Sequence, residues 1–144
     1  MLGKTIAEIK IGDTADFTKS VTEFDIYSFA GITGDFNPAH INAEYAHDTA
    51  FGKTIAHGIL SIGFISNVLG TQLPGPGSIT ISLDCNFRRP VFIGDTITAA
   101  VKVTKIDEAR NRVWLHTNCT NQRGEIVVEG EAKMMPPLKK PEHV

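Results

Sequence analysis

Hydrophobic and polar residues alternate through the second half of the chain, from residue 78 to residue 132. The apolar positions of the first run are Ile79, Ile81, Leu83, Cys85 and Phe87. The same period of two recurs at 97–103, 113–119 and 126–132, and it is typical of strands with one buried face. Residues 121–124, which end in Gly124, predict a hairpin turn between the last two runs. This half of the chain therefore predicts four or more antiparallel strands.

The first half of the chain follows a helical pattern after one alternating stretch at 14–21, which predicts a first strand. Thr22 is suited to cap a helix, because acidic residues follow it in the first turn. Gly34 is suited to end that helix. Asn42 is placed to cap a second short helix, which we expect to run from Ala43 to about Asp48.

The most apolar stretch of the chain, residues 58–70, is bounded by glycines. It is too long for an ordinary strand and too short to cross a membrane. Apolar or small residues occupy most of its faces, so we expect a helix that is buried nearly all round. The Pro- and Gly-rich segment 73–77 ends it. The simplest packing is α+β, with one antiparallel sheet wrapped around this helix.

Length and charge limit the classes of protein that fit this pattern. A chain of 144 residues predicts one domain over 1–144, with a loose Pro-containing tail at 136–144. A net charge of −2 provides no basic surface for nucleic acid or an anionic membrane. The first residues lack the apolar core of a signal peptide, and no run reaches the ~18 apolar residues of a membrane span. We therefore expect a cytoplasmic protein whose partners are small molecules or a second copy of itself.

The two cysteines, Cys85 and Cys119, lie in predicted strands. Their separation matches neither a metal site nor a redox motif. We interpret both as reduced core residues, because free cysteine is commonly buried.

Residues 34–40 combine an acid, Asp35, with an imidazole, His40, around an Asn37-Pro38 pair. Carboxyl and imidazole groups are common proton-transfer groups in enzymes. Pro38 moves Asn37 away from helical geometry, so we expect a stiff bend rather than a helical turn. A structural role also fits, with Asp35 forming an Asx turn and His40 a hydrogen-bonded core residue. Both interpretations stay open at this point.

His57 and Gly58 form a second candidate pair, because free N–H groups and the positive end of the helix dipole meet where the apolar helix begins. Without a side chain, Gly58 lets a carbonyl oxygen approach its N–H, although tight packing alone also explains a glycine here. Asp35, His40 and His57 have the composition of a non-haem iron site. Their spacing lacks i,i+3 or i,i+4 ligand pairs, so we expect no metal.

The other polar residues are weaker candidates for catalytic or binding roles. Ser61 and Ser66 lie outside any Gly-x-Ser-x-Gly elbow, so we expect no catalytic serine. Arg88 and Arg89 fit either an anionic group such as a phosphate or a solvated edge. The sequence contains no phosphate-binding glycine loop and no dinucleotide fingerprint, and we expect no cofactor.

At the level of motifs, the chain resembles the MaoC-like hydratases. The signature segment is Gly34-Asp35-Phe36-Asn37-Pro38-Ala39-His40, preceded by Phe29-Ala30-Gly31-Ile32-Thr33. Ala56-His57-Gly58, the apolar helix after it, Leu73-Pro74-Gly75 and residues 89–95 are similar to the same family and follow in the same order. The resemblance covers about residues 10–135. In length the chain resembles the short (R)-specific enoyl-CoA hydratases that feed polyhydroxyalkanoate synthesis.

This resemblance implies a hot-dog fold, in which an antiparallel sheet wraps around a long central helix, and usually a homodimer. It implies a hydro-lyase that reversibly adds water, in the syn sense, to a trans-2-enoyl-CoA to give an (R)-3-hydroxyacyl-CoA. Asp35 and His40 would be the catalytic pair, the Gly58 N–H the donor to the thioester carbonyl, and Ser66 a substrate-binding residue. Coenzyme A would be part of the substrate, with neither a cofactor nor a metal.

Two other functions stay open from the sequence. A hot-dog acyl-CoA thioesterase would attack the same carbonyl with an activated water. A non-catalytic acyl-CoA-binding subunit would need no proton-transfer pair, so the Asp35/His40 pair favours an enzyme. The preferred acyl length, the carrier (coenzyme A or acyl carrier protein) and the group that protonates Cα do not follow from the residues.

Overall fold

One long helix, α4 (Gly58–Thr71), lies against one face of an antiparallel sheet. The computed structural model describes residues 1–139. The buried side chains of α4 are Ser61, Phe64, Ile65, Val68 and Leu69. Steps of one, three and four residues place them on one side of a helix. That side meets the inward apolar residues of the strands and forms the core.

The sheet has five strands in the order β1-β3-β4-β5-β2, and all neighbours are antiparallel. Their bounds are β1 Thr14–Ser20, β2 Ile79–Phe87, β3 Thr96–Asp107, β4 Arg112–Thr120 and β5 Ile126–Met135. Burial alternates along β3 and β4, so every second side chain faces α4, as the period of two predicts. β2 is an edge strand, and its apolar face stays largely open at Ile79, Ile81 and Phe87.

Three helices fill the connection between β1 and α4: α1 (Glu23–Thr33), α2 (Pro38–Ile41) and α3 (Ala43–His47). At the start of α1, the Thr22 side chain accepts from the Asp25 N–H, and the Asp25 carboxylate accepts from the Thr22 N–H. Gly34 ends α1 with φ of 80°, a left-handed conformation that glycine adopts without steric cost. The chain then enters the 34–40 segment.

The predicted α+β hot-dog fold is confirmed, with one antiparallel sheet packed around one central helix. The first strand and the caps at Thr22 and Asn42 are confirmed as well. So is the hairpin turn, which the Gly124 N–H closes by donating to the Asn121 carbonyl at 3.0 Å.

Two local predictions are wrong. Within one chain α4 is not buried nearly all round, because the sheet covers only one side of it: Ile59 is 55% exposed, and Ser66 is exposed as well. Residues 38–41 form a helical turn instead of continuing the bend. Asn37 caps this turn, and Pro38 fits its first position, where the missing N–H has no intrahelical acceptor to lose.

The C-terminal segment is ordered further than predicted. Pro136 and Pro137 are buried, and Asn111 Nδ2 donates to the Pro136 carbonyl at 2.9 Å. The remainder of the predicted loose tail, 140–144, lies outside the described residues.

The cysteine prediction holds for oxidation state, since both thiols are free. Cys119 is buried, whereas Cys85 is only half-buried. In residues 1–139 no helix has the length and apolar character needed to cross a bilayer. Cytoplasmic localisation stays a prediction.

Candidate active site

The acid of the candidate pair sits in a turn between α1 and α2. One carboxylate oxygen of Asp35, Oδ1, accepts from the Asn37 N–H at 3.2 Å, and the Asp35 N–H donates to Thr33 Oγ1 at 3.2 Å. Asn37 Oδ1 accepts from the Ala39 N–H at 3.1 Å. The Asx turn and the proton-transfer role are therefore compatible, because the turn uses only Oδ1. Asp35 is exposed in the single chain.

The imidazole of His40 has a defined hydrogen bond on one side. Its Nδ1 lies 2.7 Å from the carbonyl oxygen of Ile55. A carbonyl oxygen only accepts, so Nδ1 carries the proton and donates it. In the neutral ring Nε2 is then the unprotonated nitrogen and is able to accept a proton. The half-buried His40 ring lines a pocket next to α4.

His57 lies directly behind His40 and is 2% exposed. Its Nε2–H donates to the backbone carbonyl of Asp35 at 2.9 Å. The two imidazole rings stack with centroids 3.9 Å apart, and the Phe29 ring packs against His57 with centroids 4.7 Å apart. His57 therefore supports both candidate catalytic residues, one through a hydrogen bond and the other through ring contact.

The structure brings Asp35, His40 and His57 together, with one potential ligand atom from each lying within 4.8 Å of the others. These are the residues of the metal site considered from the sequence. However, His40 Nδ1 and His57 Nε2 are both committed to backbone carbonyls. The two rings lie nearly face to face, tilted by 31°. The absence of a metal stays a prediction.

A pocket of about 520 Å³ opens beside His40, a size within the range of small-molecule sites. Its lining includes Gly58 and Ser61 from α4, Phe51 and Ile55 from the preceding segment, Phe87 at the end of β2, and residues 88–91 after it. Neither Asp35 nor Ser66 is among these residues. Apart from His40, Ser61 and two arginines the lining is apolar, as is usual for small-molecule sites.

Gly58 is the first residue of α4, so its N–H has no intrahelical acceptor and points out of the helix end. A Cβ at this position would lie 2.6 Å from Cε1 of Phe87. The glycine thus brings bare backbone to the pocket beside an aromatic ring. Both parts of the sequence-based interpretation of Gly58 agree with this geometry: tight packing and an accessible N–H.

Ser66 and Ser61 differ in position. Ser66 lies eight residues after Gly58, about 12 Å along the helix axis, on the exposed side of α4. Its substrate-binding role stays a prediction. Ser61 is buried and lines the pocket.

The buried Cys119 thiol lies behind Ser61 and donates to its carbonyl oxygen at 3.5 Å. Burial, with a smaller contribution from Cys85, raises the pKa of Cys119 to about 12. Cys119 therefore remains a neutral thiol and acts as a packing residue.

Several parts of the site carry little signal in the sequence. The Ile55 carbonyl that fixes the His40 tautomer has no side-chain signature. The pattern around His57 predicts only a cap or packing residue, although its place one residue before Gly58 hints at a site contact. The alternation assigns Phe87 only to a strand face, yet it forms a wall of the pocket.

The chain is similar to known proteins over most of its length. A family model described as "MaoC like domain" matches residues 7–123. An (R)-specific enoyl-CoA hydratase of Rhodospirillum rubrum is 50% identical over 132 residues, which cover 92% of this chain and 91% of that protein. A 3-hydroxybutyryl-CoA dehydratase of Methylorubrum extorquens is 42% identical over 132 residues, covering 92% and 83%.

A solved structure of a hydratase has a similar fold. The unliganded R-hydratase PhaJ1 from Pseudomonas aeruginosa superposes with a TM-score of 0.89 at 39% identity, covering 99% of this chain and 94% of that chain. The predicted family is thereby confirmed, and the chain belongs to the MaoC-like family.

Proposed function

We propose that this protein is an (R)-specific enoyl-CoA hydratase, a hydro-lyase that reversibly adds water, in the syn sense, to a trans-2-enoyl-CoA to give an (R)-3-hydroxyacyl-CoA. The observation that carries the proposal is the spacing of Asp35 and His40, whose ligand atoms lie within 4.8 Å of each other, with His40 on the pocket wall. Two relatives, a hydratase and a dehydratase of CoA thioesters, represent the two directions of this reaction. We also propose, from the family resemblance, that the product serves polyhydroxyalkanoate synthesis.

A separation of up to 4.8 Å leaves room for one water between the pair. Two hydrogen bonds of ~2.8 Å at a tetrahedral angle place their acceptors ~4.5 Å apart. His40 Nε2 takes one proton of this water while the Asp35 carboxylate orients the other. The water oxygen adds to Cβ, and the proton taken up by His40 is available to Cα on the same face. A single bound water therefore accounts for syn addition.

The thioester carbonyl is placed at the N–H of Gly58. Conjugation makes Cβ electrophilic once negative charge on this oxygen is stabilised, and one such donor is worth ~3 kcal/mol. The start of α4 adds the positive end of the helix dipole. This chemistry needs no metal, and coenzyme A is part of the substrate rather than a separate cofactor.

The test is an assay with crotonyl-CoA that follows enoyl absorbance, thiol release and product chirality together. We expect loss of enoyl absorbance, no free thiol and (R)-3-hydroxybutyryl-CoA as the product. Replacing Asp35 by Asn should lower kcat ~100–10,000-fold, because it removes the carboxylate that orients the water.

The matched control is Asp48→Asn, which removes another exposed acid; within residues 1–139 its side chain pairs with the exposed His47 alone. We expect its kcat to equal that of the unmodified protein. Thiol release would assign the protein to the thioesterases, and the absence of both signals would leave acyl-CoA binding alone. An unchanged kcat in Asp35→Asn would contradict the role of Asp35.

The proposal includes a homodimer formed through β2 and the open side of α4. β2 has no partner strand along its outer edge in the sheet of residues 1–139. Beside that edge, Ile79 and Ile81 are 51% and 44% exposed. Pairing of two copies through β2 would protect an edge that otherwise invites aggregation, and it would shield these side chains. Light scattering should give twice the mass of the chain, and a single-chain mass would overturn the dimer.

A further inference from the structure

Two arginines, Arg88 and Arg89, border the same pocket as His40 and Gly58. They directly follow β2, and their backbone N–H groups both donate to the Val127 carbonyl, at 2.8 and 3.3 Å. Pro90 restricts the backbone on the other side. The backbone that carries the two guanidinium groups is therefore anchored to β5, although the side chains themselves are more than half exposed.

The charge of the pocket comes from these two side chains. None of the residues lining it between positions 1 and 139 is acidic. Arg88 Nε lies 3.8 Å from Glu129 Oε2, and Arg89 Nε lies 3.3 Å from Glu125 Oε2. Exposed pairs of this kind contribute little to stability, because water screens them. A ligand with a phosphate group therefore competes well with both glutamates for the guanidinium groups.

We propose that Arg88 and Arg89 bind the phosphate at the end of the pantetheine arm of the thioester substrate. The inference rests on the proposed function, because it places the thioester carbonyl at the Gly58 N–H. The same lining contains Ile59, Phe87 and Val128, an apolar surface suited to the arm itself. The phosphate needs a charged partner, and the planar guanidinium fork matches the spacing of phosphate oxygens.

This phosphate has two natural sources. Coenzyme A carries it within its pyrophosphate, and the prosthetic group of an acyl carrier protein carries it on a serine. The arginines recognise the chemistry that the two carriers share. We therefore expect the loss of the arginines to weaken the binding of thioesters on either carrier.

The test compares substrates with and without the phosphate. In the double variant Arg88→Gln/Arg89→Gln, the KM for crotonyl-CoA should rise ~10–100-fold with kcat unchanged, as expected for the loss of charge-assisted hydrogen bonds. The KM for crotonyl-pantetheine, which has no phosphate, should stay the same. An equal rise for both thioesters, or no rise for crotonyl-CoA, would overturn the proposal.

Arg123 provides a matched control. Its side chain is as exposed as that of Arg89, at 58%, and it pairs with the same Glu125, but it does not line the pocket. Arg123→Gln should leave both KM values unchanged. If it raised the KM for crotonyl-CoA as much as the double variant does, general surface charge would explain the effect and the assignment would fail.

Calorimetry with 4′-phosphopantetheine and pantetheine separates this inference from the proposed function. Weaker binding of 4′-phosphopantetheine alone in the double variant supports the phosphate site even if the protein hydrates no thioester. Intact hydration with equal affinities in both proteins overturns the phosphate site and leaves the hydratase proposal standing. In a second arm, crotonyl-carrier protein replaces crotonyl-CoA. An effect on coenzyme A alone would overturn the shared phosphate and assign the nucleotide phosphates instead.

Discussion

Two segments of the chain, the turn of α2 and the residues just before α4, each bring one histidine to the same place. His40 donates Nδ1–H to the Ile55 carbonyl, and His57 donates Nε2–H to the Asp35 carbonyl. Their rings stack 3.9 Å apart. The two are thus held in the same way and touch each other, but His40 lines the pocket and His57 is buried.

The difference between them lies in the second ring nitrogen. That of His40 belongs to a ring that substrate and water can reach. His57 Nδ1 is buried and has no hydrogen-bond partner within residues 1–139. A nitrogen buried in this way has no contact with substrate or solvent. We therefore assign proton transfer to His40 and positioning to His57. Under the proposed function, two identical side chains differ in role because only one of them lines the pocket.

The largest expected effect is the replacement of His40 by Asn. The Asn side-chain NH₂ takes the position of Nδ1, so it keeps the hydrogen bond to the Ile55 carbonyl while Nε2 is lost. We expect kcat for crotonyl-CoA to fall ~100–10,000-fold, since a positioned acid–base group contributes this much. The free energy of unfolding in urea should change by no more than ~1 kcal/mol, the net worth of one hydrogen bond.

His47→Asn is the control for this variant, because the His47 imidazole is 80% exposed and, in the described part of the chain, pairs with Asp48 alone. Its kcat should match that of the unmodified protein. A His40→Asn variant that keeps more than about a tenth of the original kcat would reverse the comparison, because proton transfer would then belong to another group.

The sequence predicts those parts of the site that depend on neighbouring residues. Gly34, Asp35 and His40 form a local motif whose turn chemistry follows from nearby side chains. Likewise, the alternation along β3 and β4 determines which side chains face α4. The hydrogen bond of His57 to Asp35 joins residues 22 positions apart. Its partner is a backbone carbonyl, which carries no sequence signal, so only the tertiary structure reveals it.

The error at α4 has a related cause. Apolar and small residues on every side of the helix predict complete burial, but they do not say which surface covers each side. The chain's own sheet covers one side, and Ile59 stays exposed on the other. Position alone also gives no reason for Ser66 to reach the pocket. A sequence pattern predicts that a helix face is buried, but it does not predict which part of the molecule buries that face.

A smaller effect is expected from His57, and two variants separate its hydrogen bond from its bulk. His57→Leu removes the donor to the Asp35 carbonyl and releases the turn that holds the carboxylate. We expect kcat to fall ~10–100-fold with KM little changed, because small displacements of catalytic groups cost about this much. The Asp35 carbonyl is then left without a hydrogen-bond donor, which should lower the free energy of unfolding by ~1–3 kcal/mol.

His57→Gln is the rescuing variant, because its side-chain NH₂ reaches the position of Nε2. It should recover most of the lost kcat if positioning of Asp35 is the role of His57. Equal losses of kcat in the Leu and Gln variants would instead show that the imidazole itself takes part in proton transfer, and the two histidines would then share one role.

The smallest effect is expected at Gly58, which takes part in neither histidine's hydrogen bond. The Gly58→Ala substitution would place Cβ 2.6 Å from Cε1 of Phe87. Because Phe87 is 55% exposed, its ring can turn away, so the free energy of unfolding should fall by only ~1 kcal/mol, the lower end for overpacking. The turned ring narrows the pocket, so the KM for crotonyl-CoA should rise while kcat changes less than in either histidine variant.

Adding Phe87→Leu to Gly58→Ala should restore both the free energy of unfolding and the KM for crotonyl-CoA, because the smaller side chain leaves room for the new methyl group. A double-mutant cycle on the two positions should measure a coupling of ~0.5–3 kcal/mol. If the cycle shows no coupling, Gly58→Ala impairs the Gly58 N–H donor itself rather than displacing the Phe87 ring. The start of α4 would then contribute to the reaction through its backbone alone, whereas the two histidines contribute through their side chains.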